Sequence, residues 1–346
     1  MVKVYSVTPE SVPARSSAVH DTAAEGFAER LTTTARASER AGWEGILVPH
    51  NLHEVDPWIV AAHIGSATRT LVPLLALQPA ATPPHTAALC AAAYAMLHGL
   101  PLYFNLVAGA RDDEMRRIGD DLSHDERYAR LRQYGHVLRR LLRGETVDAE
   151  GPYYTYRGFR LEPRPDVLSR CRIFVAGSSS ASVSAAKEIS DVVVTHPLPY
   201  EEWHRTFLRP LRADDYMGDI GIRIGILCRP DPEEAWKLAY ERFPDSWIGR
   251  QETLLKTMSQ NTWSRQLAQR AVEADGRPVD VERSTYWLGA FRSGLASAPF
   301  LVGGYDEVAA RLGDYVRAGV GHVLLNGGLD EDFEHTREAV RLASRR

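Results

Sequence analysis

Short apolar runs alternate with longer helical patterns along almost the whole chain, and this alternation limits the fold more than any other feature. The runs are apolar on consecutive residues rather than on every second one, which is typical of parallel strands buried on both faces. Eight strands are predicted, at Val4–Val7, Ile46–Val48, Val72–Leu77, Leu102–Val107, Arg172–Val175, Val192–Val194, Ile220–Cys228 and His322–Asn326. Helical periodicity lies between them, so the sequence favours a (β/α)₈ TIM barrel, with an open doubly wound sheet as the alternative.

Two stretches interrupt this alternation. Gly151–Pro163 combines aromatic alternation with a Gly turn, which predicts a β-hairpin outside the barrel. The passage from about residue 244 to 299, between predicted strands seven and eight, is helical at first and then rich in Gly and Ser. A passage this long is expected over the C-terminal mouth of the barrel, where it would act as an active-site lid. No linker or internal repeat is visible, so residues 1–346 are expected to form a single domain.

Composition narrows the class of protein. With 44% hydrophobic and 25% charged residues the chain is typical of a soluble globular protein, and a net charge of -4 argues against nucleic acid as a partner. No apolar run approaches the ~20 residues that span a bilayer, and the first residues turn polar too quickly for a signal peptide. We therefore expect a cytoplasmic protein without a membrane role. Cys90, Cys171 and Cys228 are expected to be buried free thiols, since their spacing suits no zinc site.

Several common catalytic motifs are missing from the sequence. There is no Gly-x-Gly-x-x-Gly, no phosphate-loop lysine, no Gly-x-Ser-x-Gly and no His-Glu-x-x-His. The nearest approach to a metal-ligand cluster is the segment 52–56, which contains His53, Glu54 and Asp56. Polar loop residues at the carboxyl end of a strand account for it better than a metal site does, and no metal is predicted.

Polar residues at the ends of the fourth and fifth predicted strands are more informative. Asn105 lies inside a buried run, where its amide needs hydrogen-bond partners, either neighbouring backbone or a ligand. The fifth strand continues into Gly177, Ser178 and Ser179 just before a helix. Glycine permits close backbone approach, and hydroxyls and helix-start N–H groups attract anions. This segment is either a phosphate cradle or an ordinary serine helix cap.

Four further residues are candidates for the site. His124 and Tyr128 are four residues apart at the start of a long helix, capped by Ser123 or Asp125, and so share a face; a half-buried structural stripe is the alternative. Arg223 interrupts an apolar strand, so its guanidinium must meet an anion, either a structural carboxylate or a substrate. Arg292 lies beside the Gly/Ser-rich part of the predicted lid and has the same two interpretations.

Taken together, these segments resemble the flavin-dependent alkanesulfonate monooxygenases, within the bacterial luciferase-like monooxygenase superfamily. The resemblance covers most of the chain, and its specificity comes from the order and spacing of modest matches. They are Ala41–Pro49, Asp56–Ala62, Leu75–Pro79 with Pro83, Asn105–Gly109, His124–Tyr128, Leu141–Asp148, Ala176–Ser179, Gly221–Arg223 and Leu301–Gly303.

The resemblance implies a two-component FMNH₂-dependent monooxygenase on a barrel with a mobile lid. A separate NAD(P)H:flavin reductase would supply the FMNH₂, and O₂ would be activated as a C4a-(hydro)peroxyflavin. The resemblance places Leu77, Asn105, His124 and Tyr128 along the flavin, with Gly177, Ser178 and Ser179 at its phosphate. Arg223 and Arg292 are expected to contact the oxygen adduct or an anionic substrate. A homodimer or homotetramer is expected by analogy.

The chain departs from the alkanesulfonate enzymes on the substrate side. Glu54 replaces a cysteine, His196 a tryptophan, Gly225 a histidine and Gly328 a tyrosine. These changes predict a small polar or anionic organic substrate other than a simple alkanesulfonate. Glu54 is a candidate base or amine contact, or an exposed loop acid. A deazaflavin-dependent oxidoreductase on the same barrel and a non-catalytic flavin-binding relative remain alternatives.

Overall fold

The computed structural model describes residues 2–11, 26–52, 54–109, 112–259, 262–272, 283–327 and 330–346. Across these ranges the strands are β1 (Lys3–Val7), β2 (Gly45–Val48), β3 (Val72–Leu77), β4 (Tyr103–Leu106), β5 (Val147–Ala149), β6 (Tyr156–Phe159), β7 (Arg172–Ala176), β8 (Val192–Thr195), β9 (Asp219–Arg229), β10 (Tyr286–Trp287), β11 (Phe300–Gly304) and β12 (Val320–Leu325).

Helices occupy most of the connections between the strands. They are α1 (Phe27–Arg40), α2 (Pro57–Ala67), α3 (Pro84–His98), α4 (Asp112–Arg117), α5 (His124–Leu142), α6 (Ser180–Ile189), α7 (Tyr200–Trp203), α8 (Arg209–Ala213), α9 (Pro232–Arg242), α10 (Trp247–Lys256), α11 (Thr262–Ala271), α12 (Gly289–Arg292), α13 (Tyr305–Arg317) and α14 (Phe333–Ala343). A π-helical segment, His204–Leu208, joins α7 to α8. Among the described residues, no helix has both the length and the apolar character needed to cross a membrane.

Eight strands form a closed parallel barrel in the order β1, β2, β3, β4, β7, β8, β9, β12. All six residues of β3 and all four of β2 are buried, as the unbroken apolar runs predict for strands covered on both faces. The predicted TIM barrel is confirmed. The predicted barrel strands agree with the observed ones to within one or two residues at each end.

The contacts divide the chain into two compact units. The first unit is Val7–Ala176 with Ser180–Val193, and the second is Met1–Ser6, Gly177–Ser179 and Val194–Arg346. In the first unit, β2, β3, β4 and β7 pair side by side in parallel. A separate two-stranded sheet, β5 with β6, lies outside the barrel order.

This small sheet corrects the predicted bounds of the hairpin. Its first strand precedes Gly151, because Val147 is fully buried and pairs with Phe159. The backbone at Tyr153 and Tyr154 is instead hydrogen-bonded to the side chain of Gln133, which accepts from both N–H groups and donates to the carbonyl of Tyr154. These residues therefore form the connection between the strands.

In the second unit, different parts of the long strand β9 pair in parallel with β12 and with β11. Its first part, Ile220–Ile224, is in register with β12, and its second part, Gly225–Arg229, is in register with β11. Strand β11, which the sequence did not predict, ends the passage between β9 and β12, and the short strand β10 pairs with it antiparallel. A buried cluster that includes Leu227, Trp236, Trp287 and Phe300 packs this part of the unit. The action of residues 244–299 as a lid stays a prediction.

Candidate active site

Two polar side chains of the first unit lie at the carboxyl ends of neighbouring strands. Asn105 in β4 is in register with Ala76 of β3 and Phe174 of β7, and Gln78 follows β3 directly. The Oδ1 atom of Asn105 and the Oε1 atom of Gln78 are buried and accept no hydrogen bond within the described residues. A buried acceptor without a donor costs free energy, so both atoms fit a bound group that offers N–H or O–H donors. Leu77, the last residue of β3, directly precedes Gln78 and is buried.

His124 and Tyr128 lie together on the first turns of α5. Ser123 caps this helix through a capping box with Glu126, so the cap is Ser123 rather than Asp125. The rings of His124 and Tyr128 are 5.0 Å apart at their centroids, which confirms that the two residues share a face. The His124 side chain is 39% exposed and its Nδ1 lies 3.0 Å from Asp125 Oδ1.

The loop segment around Glu54 is tied to neighbouring backbone. Glu54 Oε2 accepts hydrogen bonds from the N–H of Ser11 at 3.1 Å and from its Oγ at 2.6 Å. Asp56 caps α2 by accepting from the N–H groups of Trp58 and Ile59. These contacts give both carboxylates a structural function, and the candidate His53 lies outside the described residues.

The second unit contains the segment Gly177–Ser179, which follows β7 and precedes α6. The N–H of Gly177 donates to the carbonyl of Val194 at 3.1 Å, which fixes the start of the segment. Ser178 Oγ is buried and has no hydrogen-bond partner in the described part of the chain. A hydroxyl in this position is a donor available to a bound anion, as expected of a phosphate cradle.

Three half-buried residues of the second unit carry buried nitrogen atoms, and we call them the 196/223/263 cluster: His196 after β8, Arg223 in β9 and Trp263 on α11. The rings of His196 and Trp263 stack with centroids 4.2 Å apart. Both ring nitrogens of His196, Nε of Arg223 and Nε1 of Trp263 are buried, and none has a hydrogen-bond partner among the described residues.

Burial also sets the charge state of this cluster. Desolvation lowers the pKa of Arg223 to about 10, which leaves the guanidinium charged at neutral pH. Desolvation, and secondarily the charge of Arg223, hold the pKa of His196 well below its usual value, so the imidazole is neutral. The cluster therefore combines one cation, one neutral donor-acceptor and one N–H donor.

Arg292 differs from Arg223 in having a carboxylate nearby. Its Nε lies 3.8 Å from Asp245 Oδ1, and Asp245 also pairs with Arg250. Its backbone carbonyl accepts from Thr253 Oγ1 at 3.4 Å. Among the described ranges, the ion pair of Arg292 agrees with the structural interpretation, whereas Arg223 has none.

The sequence interpretation missed part of this arrangement. His196 was noted only as a replacement and Gln78 only as part of a matching segment, although both directly follow buried strands, where polar residues of a barrel enzyme are informative. Trp263 had no such signal, because a tryptophan in a helical pattern normally packs in a core. Gly328, predicted at the substrate side, lies outside the described residues.

Comparison with known proteins agrees with the geometry. Residues 11–322 match the family model described as luciferase-like monooxygenase. Among curated proteins, the chain is 35% identical over 312 residues to the 4-(γ-L-glutamylamino)butanoyl-[BtrI acyl-carrier protein] monooxygenase BtrO of Niallia circulans, covering 89% of each chain.

Solved structures show the same fold at low sequence identity. The oxygenating constituent of the 3,6-diketocamphane monooxygenase of Pseudomonas putida, in complex with FMN, matches with a TM-score of 0.69 and 14% identity over 99% of this chain and 97% of that one. An F420-dependent secondary alcohol dehydrogenase, in complex with an F420-acetone adduct, matches with a TM-score of 0.67 and 15% identity over 99% of each chain.

Proposed function

Because the chain belongs to the luciferase-like monooxygenase family, a family of flavin-dependent monooxygenases, we propose that it is the oxygenase component of a two-component system. It takes FMNH₂ from a separate NAD(P)H:flavin reductase and uses O₂ to oxidise a small polar or anionic organic compound. One observation carries this proposal beyond the family: within the described ranges, buried polar atoms without partners occur at Asn105, Ser178 and Arg223. Asn105 and Ser178 lie at or just after the carboxyl ends of barrel strands, where barrel enzymes hold their ligands, and Arg223 lies in the part of β9 that pairs with β12.

The unpartnered atoms match the chemistry of FMN. The isoalloxazine ring carries an N–H that suits the acceptor Oδ1 of Asn105, and the phosphate suits the donor Oγ of Ser178. We assign Leu77, Asn105, His124 and Tyr128 to the flavin ring and ribityl chain, and Gly177, Ser178 and Ser179 to the phosphate. When bound, reduced FMN supplies the two electrons that the reduction of O₂ requires.

The chain's own residues bind the substrate and exclude water. Arg223 supplies the positive charge for an anionic substrate group, because no carboxylate of the described chain neutralises it. BtrO acts on an acyl group that carries a glutamyl residue, and a glutamyl residue has a carboxylate, which supports an anionic substrate. Arg292 is proposed to add a contact when residues 244–299 close as a lid.

Among the proposed catalytic residues, Glu54 already has a partner within the protein, because Ser11 donates two hydrogen bonds to its Oε2. Its proposed function is to hold the loop that follows β1 against the loop that follows β2, with proton transfer as the secondary role. We also propose that the protein forms a homodimer or homotetramer, and that residues 1–346 form a single domain that includes the lid.

An anaerobic binding titration tests the choice of cofactor. We expect saturable binding of FMNH₂ that is tighter than binding of oxidised FMN or reduced deazaflavin F420. Ser178→Ala should weaken FMNH₂ about tenfold, the usual value of a charge-assisted hydrogen bond. Reduced riboflavin, which has no phosphate, is the matched control and should bind wild type and variant equally. Tighter binding of reduced F420 contradicts the proposal and favours the hydride-transferring alternative.

A further inference from the structure

The loop that carries His196 is held in place by three side-chain hydroxyl groups. Thr195 Oγ1 donates to the carbonyl of His196 at 3.2 Å, Tyr286 Oη to that of Pro197 at 2.9 Å, and Tyr315 Oη to that of Leu198 at 2.6 Å. Three consecutive carbonyls are thus bonded by side chains, two of them tyrosines from distant parts of the second unit. The position of His196 is therefore preorganised, as required of a residue that recognises a ligand.

The ring of His196 is fixed on one face by Trp263. The two rings are inclined by only 27° and their centroids lie 4.2 Å apart, so the stack defines the plane in which the imidazole nitrogens point. Neither nitrogen bonds to a described residue. Buried polar groups in folded proteins are nearly always hydrogen-bonded to protein, water or ligand. The imidazole of His196 is held in a fixed orientation, and both of its nitrogens are available to a ligand.

The protonation state of His196 decides what these positions require. A neutral imidazole has one N–H donor and one bare nitrogen acceptor, and neutrality follows from burial and the charge of Arg223. The acceptor nitrogen can only be satisfied by an N–H or O–H group. Arg223 Nε and Trp263 Nε1, by contrast, only donate, and so require acceptor atoms of the ligand, preferably anionic ones beside the guanidinium.

We infer that the 196/223/263 cluster is the subsite that selects the substrate, and that it takes a carboxylate bearing an N–H or O–H donor close to the carboxyl group. Arg223 and Trp263 bind the carboxylate oxygens, and His196 accepts from the neighbouring donor. His196 and Trp263 are then specificity-determining residues. This inference rests on the proposed function and names the class of its substrate.

A pair of probes that differ only in the donor tests the inference. N-acetylglycine has an amide N–H beside its carboxylate, and N-acetylsarcosine has N–CH₃ at the same position. Both probes are titrated calorimetrically into the full chain, without flavin and with saturating FMN. N-acetylglycine should bind about tenfold more tightly than N-acetylsarcosine, because only N-acetylglycine offers an N–H donor to the acceptor nitrogen of His196. Equal affinities, or no saturable binding of either probe in both conditions, contradict the inference.

Ring-conserving variants separate the contributions of the residues. His196→Phe keeps the stack on Trp263 but removes both nitrogens, and should abolish the preference for N-acetylglycine. Trp263→Phe should weaken both probes by a similar factor, up to about tenfold, and leave their ratio unchanged. Met217→Leu, at a methionine that is 89% exposed and lies outside residues 244–299, is the control and should change neither value.

The outcomes also separate this inference from the proposed function. A preference that survives in His196→Phe overturns the subsite even if FMNH₂ binds as expected. A preference that is lost in His196→Phe supports the subsite even if FMNH₂ does not bind, in which case only the monooxygenase proposal fails.

Discussion

Strand β9 contains two arginines, the half-buried Arg223, whose Nε is buried, and the buried Arg229, and their surroundings differ completely. Arg229 Nη2 bonds to Asp332 Oδ1 at 2.8 Å, and its Nη1 donates to the carbonyl of Cys228 at 2.8 Å. Asp332 is itself buried, with Arg242 Nη1 on its second oxygen at 2.5 Å. Arg223, six residues earlier on the same strand, has no hydrogen bond or ion pair with the described chain, and its Nε is buried.

A structural arginine and a functional one differ in whether the protein itself supplies the opposite charge. A charge removed from water is tolerated when an opposite charge compensates it. The fold supplies that charge for Arg229, and we propose that a ligand supplies it for Arg223. Of the two interpretations that the sequence allowed for Arg223, a structural carboxylate is not found among the described residues, and the contact with a substrate stays a proposal.

The largest effect is expected from breaking the compensated pair. Asp332→Asn leaves Arg229 and Arg242 without their shared carboxylate, so the free energy of unfolding should fall by about 3–5 kcal/mol. Urea unfolding measures this. Asp306→Asn, which removes the exposed partner of Arg346, is the control and should cost less than about 1 kcal/mol. A loss below about 1 kcal/mol for Asp332→Asn contradicts the structural role of the pair.

The opposite result is expected at Arg223. Arg223→Met removes a desolvated charge that the protein does not compensate, so the free energy of unfolding should stay unchanged or rise by about 1–3 kcal/mol. Affinity for N-acetylglycine should fall about 10- to 100-fold, because the contact to the carboxylate is charge-assisted. Destabilisation comparable to that of Asp332→Asn would show that Arg223 is a structural cation after all.

A smaller effect is expected on the pH dependence of stability, through His196 beside Arg223. Its pKa lies below 6.5 in the folded state, so the unfolded state binds a proton first as the pH falls. The stability that His196 contributes is therefore complete above about pH 6.5 and is lost below it, by up to about 1.4 kcal/mol per pH unit. Urea unfolding of His196→Phe between pH 7 and 5 should show a correspondingly shallower loss. In Arg223→Met the pKa of His196 should rise, because the nearby positive charge is removed. The pH range over which stability is lost then becomes narrower. Identical slopes for wild type and His196→Phe contradict this account.

Most of the barrel could be predicted because its strands are buried on both faces. Runs such as Val72–Leu77 are unbroken and apolar, and tertiary packing only reinforces that pattern. Strand β11 was missed because Phe300–Gly304 is short, is followed at once by a helix, and pairs with the second half of β9, which was expected to be an ordinary barrel strand. The hairpin was misplaced because the side chain of Gln133, distant in sequence, bonds the backbone at Tyr153 and Tyr154.

Some residues of the candidate site could likewise be predicted from the sequence, and others could not. Asn105 and Arg223 are visible in the sequence because a polar residue inside an apolar strand needs an explanation. The hydrogen bonds and ion pairs that decide between the explanations are not visible in the sequence, since Arg229 lies on the same strand and yet is paired with a carboxylate. Trp263 was unpredictable for a related reason: its stack with His196 depends on how α11 folds back within its unit, which no local pattern specifies.

The most direct test of the account is the reaction of the bound reduced flavin with oxygen. The protein, loaded anaerobically with FMNH₂, is mixed in a stopped-flow instrument with oxygenated buffer, and the flavin absorbance is followed with and without N-acetylglycine. We predict that oxidation follows a time course distinct from that of free FMNH₂, with an absorbance phase that free flavin lacks. Oxidation at the free-flavin rate under saturating protein would contradict the central claim that this chain directs the reaction of reduced FMN with O₂.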